Sequence, residues 1–165
     1  MDMRQEISFR RDWKVTLSPQ PAVPLTDGAV TVRLPKLTDK SILTVYGSNT
    51  DQLDGLWVGW PAENEPADVW AERSIEQWKL GWTAEGSDFG PALIVDSSKK
   101  PFVGIVQLFP KSDGVIELLY GVAPSARNLG VASQAVTLVA DWILNENLFE
   151  TVELRISEEN SASQQ

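Results

Sequence analysis

Between Tyr120 and Ser133 the chain reads Tyr-Gly-Val-Ala-Pro-Ser-Ala-Arg-Asn-Leu-Gly-Val-Ala-Ser. The residues before Pro124 form an apolar run that reads as a strand. Those from about Asn128 onward carry a helical apolar period. A strand that turns directly into a helix leaves the helix's first N–H groups unpaired and pointing outward, and the helix dipole favours an anion there. Arg127 adds a cation, while Gly130 and the small Ala132 let a bulky anionic group approach the backbone. The chemistry offered is binding of a phosphate or pyrophosphate. The spacing matches neither G-x-x-x-x-G-K-S/T nor G-x-G-x-x-G, so no common nucleotide fingerprint fits. The plainer alternative is an ordinary strand-to-helix turn.

Glu117 is the second residue of interest, a carboxylate set among Val115, Ile116, Leu118 and Leu119. On a buried strand it can serve as a general base; on a half-solvated strand it is merely an outward residue. The chain has no His and no Cys. A Ser-His-Asp triad, a histidine base, a thiolate nucleophile and every His- or Cys-built zinc site are therefore excluded within it. No run resembles a calcium-binding acidic loop, and no metal is expected. Reactive chemistry would have to arrive with a cosubstrate, leaving position and hydrogen bonds to the protein.

The elements that must hold these residues follow from hydrophobic period and punctuation. Residues 1–28, with Pro19, Pro21 and Pro24, read as an N-terminal arm, in which Trp13, Val15 and Leu17 alternate like an edge strand. Residues 29–165 read as one domain. Val30, Val32 and Leu34 predict a strand, followed by a helix capped by Thr38 or Asp39. Ala71, Ile75, Trp78 and Trp82 predict a second helix over about 68–82, with Asp68 as cap. Three strands come next, over 92–95, 102–109 and 115–122, with 110–114 as a turn. Leu129, Ala132, Val136, Val139 and Ile143 then predict a helix over 128–147, and Val152, Leu154 and Ile156 a last strand. Short turns make the middle strands antiparallel, whereas the crossover through the long helix makes the last pair parallel. The fold class is α/β (α+β), a mixed, mostly antiparallel sheet flanked by helices on both faces.

With 165 residues the chain suits a single domain. Fourteen Lys and Arg against twenty-three Asp and Glu give a net charge of −9, which repels a phosphate backbone, so no nucleic-acid partner is expected. The first residues, Met-Asp-Met-Arg-Gln-Glu, are not a signal peptide, and the run from Val136 to Leu144 is too short to span a bilayer. A cytoplasmic protein without a membrane partner is the expectation.

The stretches Glu117-Leu118-Leu119-Tyr120-Gly121-Val122-Ala123-Pro124, Arg127-Asn128-Leu129-Gly130-Val131-Ala132, Val152-Glu153-Leu154-Arg155-Ile156 and Glu159-Asn160-Ser161-Ala162-Ser163 together resemble the GNAT N-acetyltransferase superfamily. Within it they are most similar to the RimJ/RimL-like branch, which acetylates ribosomal-protein N-termini. The resemblance covers residues 29–165 in element order and 115–163 in motif. It implies acetyl-coenzyme A (acetyl-CoA) as cosubstrate and an amine, either a protein N-terminus or a small amine, as acceptor. It further implies that the backbone of Tyr120, Gly121 and Val122 binds the pantetheine arm, together with Asn160. The amides of Asn128, Leu129, Gly130, Val131, Ala132 and Ser133 would cradle the pyrophosphate, beside Arg127. Glu117 matches a frequent family glutamate.

Trp57 and Trp60 fall in the region that lines the family's acceptor groove, where an aromatic wall can hold a cationic amine; Trp78 and Trp82 read instead as core. Two departures stand out. Gly121 replaces the family's tryptophan, and the sequence ends at Gln165, where the family continues into another helix and its final strands. The fold is thus expected to lack those elements, with the 151–156 edge covered by a homodimer partner, a missing C-terminal segment or the arm. The competing function is a non-catalytic acyl-CoA-binding or regulatory module of the same fold.

Overall fold

A computed structural model describes residues 20–49, 51, 59, 61–83, 90–112 and 114–154. The expected edge strand at Trp13–Leu17, Trp57, Trp60 and Asn160 lie outside the described residues.

Six strands form one sheet in sequential order: β1 (Leu25–Thr26), β2 (Val30–Arg33), β3 (Ala92–Ser97), β4 (Gly104–Ser112), β5 (Val115–Val122) and β6 (Thr151–Leu154). Neighbours are antiparallel except β5 and β6, which pair in parallel from Val115–Thr151 to Leu118–Leu154. Helices α1 (Lys40–Ser48) and α2 (Ala67–Leu80) precede β3, and α3 (Val131–Asn145) carries the crossover from β5 to β6. The mixed sheet, the meander and the parallel last pair are those expected from the sequence.

Alternate residues of the strands feed two cores. Val30, Val32, Leu93, Val95, Val106, Leu108, Ile116 and Leu118 pack with Val131, Ala135, Val136, Val139 and Ile143 of α3. Ala92, Ile94 and Ile105, from the opposite face, pack with Leu43 of α1 and Trp70, Ala71, Ile75 and Trp78 of α2. β3 is buried on both faces, which is why Ala92 to Val95 is an unbroken apolar run instead of an alternating one. Trp78 belongs to the α1/α2 core. Trp82 lies past the end of α2 and joins the α3 core beside Trp142, its indole N–H donating to the Ala92 carbonyl at 3.1 Å.

Several boundaries move, each for a local reason. The expected strand from Phe102 begins at Gly104, because Phe102 sits at φ 45° in the turn and donates its N–H to Asp96 Oδ1 at 2.8 Å. The expected turn at 110–114 is shorter. β4 continues through Pro110 and Lys111 to Ser112 by way of a bulge against Val115 and Ile116, one of the few places a sheet accepts proline. The third helix starts at Val131 and not at Asn128, since Asn128 (φ 59°) and Gly130 (φ 74°) are left-handed and cannot continue a right-handed helix. Pro66, not Asp68, stands at the start of α2.

The expected cap Asp39 has another task. Its carboxylate accepts from Arg33 Nη1 at 2.9 Å and Nη2 at 2.8 Å, and from the Lys36 N–H at 2.8 Å. Arg33 also donates to both oxygens of Asp96 and to the Leu34 carbonyl, so all five guanidinium donors are used. Burial alone would lower the pKa of Arg33; its bonds to Asp39 and Asp96 outweigh burial and raise it. The knot ties β2, the entry to α1 and the β3–β4 turn together.

Candidate active site

β5 leads into the site. Gly104 stands opposite Val122, and a Cβ on it would lie 2.7 Å from the Gly121 carbonyl oxygen, so β4 approaches this end of β5 closely only because residue 104 is glycine. Tyr120 is half-buried against the α3 core and Gly121 is buried. Among the described residues β6 accompanies β5 only as far as Leu118, so Leu119 to Val122 continue beside β4 alone. Ala123 then donates to the Val103 carbonyl at 2.7 Å, and Pro124–Ala126 make one turn of 3-10 helix.

Arg127, Asn128, Leu129 and Gly130 are exposed on the loop that follows. The first backbone bond closing α3 runs from the Gln134 N–H to the Gly130 carbonyl at 3.0 Å. The amides of Val131, Ala132 and Ser133 precede it, and no side chain caps this helix end. At Gly130, space is open: a Cβ would find only Gln134 Nε2, 3.8 Å away. An exposed loop, a helix start without a side-chain cap at its positive dipole end and open space at Gly130 are features that an anion site needs.

Glu117 lies on the same strand, three residues before Tyr120. Ile116 and Leu118 face α3, so Glu117 faces the α1/α2 side, level with Phe109 on β4 and Glu153 on β6. It is 6% exposed, which excludes the outward, solvated reading. Lys111 places its ammonium 3.6 Å from Glu117 Oε2 and 2.8 Å from Glu153 Oε2.

Sequence reasoning missed Gln107, which is 3% exposed on the same face of β4, and the Lys111–Glu153 pair. Gln107 carried a usable signal, a polar residue inside the apolar run Ile105 to Phe109. Lys111 and Glu153 carried none, because only the bulge and the parallel register bring them to Glu117. Among the described residues no group of three His, Cys, Asp or Glu can hold a metal ion, and no helix is long and apolar enough to cross a membrane.

A mostly antiparallel sheet with one parallel pair, reached through a helix whose uncapped start follows the strand end, is the architecture of GNAT-fold acetyltransferases. Solved structures share it. Ribosomal-protein-S5-alanine acetyltransferase from Vibrio fischeri superposes with a TM-score of 0.64 at 15% identity, over 86% of this chain and 78% of that one. The microcin C7 self-immunity acetyltransferase MccE, in complex with acetyl-CoA and AMP, gives 0.66 at 16% identity, over 85% and 79%. Mycobacterium smegmatis RimJ, in complex with CoA-disulfide, gives 0.63 at 16% identity, over 86% and 70%. Residues 30–165 match the family model of the acetyltransferase (GNAT) domain, and the chain belongs to the GNAT acetyltransferase family. None of the curated protein sequences matches it.

Proposed function

We propose that this chain transfers the acetyl group of acetyl-CoA to a primary amine, with a protein N-terminus as the favoured acceptor. The observation that carries the reading is the uncapped start of α3, open at Gly130, standing one short turn beyond a strand that bears a buried carboxylate. The amides of Val131, Ala132 and Ser133, with Asn128 to Gly130 and the Arg127 guanidinium, would bind the pyrophosphate. The backbone of Tyr120 to Val122, together with Asn160, would bind the pantetheine arm.

Acetyl-CoA supplies an activated thioester, whose acetyl group passes to an amine with release of the thiol. The protein's own part is to position and to move one proton. An amine arrives as ammonium and must lose a proton before it can attack; in this reading the Glu117 carboxylate takes it. Backbone N–H groups at the end of β5 would steady the carbonyl oxygen as negative charge grows on it. An N-terminal amine as acceptor is supported by likeness to the Vibrio fischeri alanine acetyltransferase and to RimJ, and Trp57 and Trp60 remain candidates for the acceptor wall.

Calorimetric titration with CoA, followed by acetyl transfer to peptides beginning with Ala or Ser, tests the proposal. Micromolar binding with transfer to the peptide's terminal amine is expected. Absence of CoA binding would overturn the site. Binding without transfer to any peptide or small amine would instead establish the non-catalytic module.

A further inference from the structure

Phe102, in the turn between β3 and β4, sits at φ 45°, a region where glycine is at home and a bulky side chain is an outlier. Three contacts hold it there. Its N–H donates to Asp96 Oδ1 at 2.8 Å, and its carbonyl accepts from the Tyr46 hydroxyl at 2.7 Å. Its ring is fully buried, edge-on to Tyr46 at 5.7 Å and to Trp78 at 6.3 Å between centroids. Asp96 is fixed in turn by Arg33. A strained residue persists only where its surroundings over-determine it, and such strain collects where function needs the chain aimed.

The next residue is tied to the root of the loop after β5. Val103 donates to the Val95 carbonyl at 2.8 Å and accepts from the Ala123 N–H at 2.7 Å. Ala123 is buried in the same core as Phe102. From there the chain turns at once: the Ala126 N–H donates to the Ala123 carbonyl at 2.9 Å, and the Arg127 N–H to the Pro124 carbonyl at 3.3 Å. The exposed stretch from Arg127 to Gly130 therefore leaves the sheet at a point tied to Val103. Relaxing Phe102 to an ordinary φ near −60° would turn its carbonyl by about 100° relative to its N–H. Asp96 and Tyr46 could not then both be kept, and Val103 would move with that carbonyl.

We propose that Phe102 is a positioning residue for coenzyme binding, whose strained turn sets the Val103 carbonyl on which the Arg127–Gly130 loop is seated. This inference rests on the reading of that loop as the pyrophosphate site.

The test is Tyr46→Phe, which keeps the ring contact and removes the hydroxyl that holds the Phe102 carbonyl. Ile75→Val, which thins the same core away from the turn's hydrogen bonds, is the control. In Tyr46→Phe the Kd for CoA should rise about threefold to tenfold, the size of one hydrogen bond. KM for acetyl-CoA should rise with it, while KM for an Ala- or Ser-initiated peptide stays at the parent value. Ile75→Val should lower the unfolding temperature and leave the Kd unchanged. A parent-like Kd in Tyr46→Phe, or an equal rise in Ile75→Val, overturns the inference. A parent that binds no CoA would remove the pyrophosphate reading instead. Amide hydrogen exchange then still decides the seating. Ala123 and Arg127 exchanging faster in Tyr46→Phe, with Leu118 unchanged, supports it, and parent-like exchange at both overturns it.

Discussion

Replacing Gly130 with Asp tests the anion cradle most directly. The residue sits at φ 74°, where an L side chain costs roughly 1–2 kcal/mol, and less for Asp than for most residues. A Cβ there meets nothing nearer than 3.8 Å, so no clash adds to that cost. Total stability of a small domain is about 5–15 kcal/mol, and the variant should therefore remain folded. Binding is another matter. A carboxylate about 5 Å from one phosphate charge, at an effective dielectric near 20, opposes it by roughly 3 kcal/mol. That converts to about a hundredfold or more in Kd. Gly130→Ala carries the backbone strain without the charge and should bind CoA nearly as the parent does. Calorimetry with CoA on the parent and both variants, with thermal unfolding run alongside, separates the terms. Equal CoA affinity in the folded Gly130→Asp protein would refute the cradle. An equal loss in Gly130→Ala would show that loop shape, not charge, is responsible.

Glu117→Gln should lower turnover about 10²–10⁴-fold while CoA affinity, measured by calorimetry, stays put, since the carboxylate is no part of the proposed cradle. Arg33→Met leaves Asp39 and Asp96 in place without their guanidinium; urea unfolding should show a loss of about 3–5 kcal/mol. Acid should destabilise the fold in part through Glu65 and Asp27. The Arg73 side chain and then the Ala62 N–H lower the pKa of Glu65, and the N–H groups of Val30 and Ala29 lower that of Asp27. Both folded values lie below the unfolded ones, so their contribution is complete above the ordinary carboxylate range and is lost as pH falls through the lowered values. The urea midpoint of Glu65→Gln, followed against pH, should fall less steeply there than the parent's.

Much of the fold was legible in one dimension because period and punctuation are local. Val30–Val32 and the helical stripe Val136–Val139–Ile143 each have one apolar side to bury, while the unbroken run Ala92–Val95 reads as a strand covered on both faces. The crossover length made β5 and β6 parallel for the same kind of reason. Boundaries were less legible where a distant group decides them. Phe102 leaves its expected strand because Asp96 holds its N–H; Asp39 does stand at the expected helix start, but its side chain is taken by Arg33, itself held by β3, and makes no cap bond.

The candidate anion loop could be proposed from sequence because Arg127, Gly130 and the helix start lie within a few residues of one another, and a helix terminus leaves its first amides without intrahelical partners. The environment of Glu117 could not. Sequence marked it as a carboxylate in an apolar run, but could not say which face it takes or what meets it there. Its burial, its level with Glu153 and the arrival of Lys111 depend on sheet register and on one bulge, where a shift of a single residue would send the side chain to the other face. Residue type and local spacing thus determined what chemistry this chain can offer. Tertiary structure decided which charges share a space, because ion pairs depend on distance and burial, and strands brought together from residues 104–154 set both.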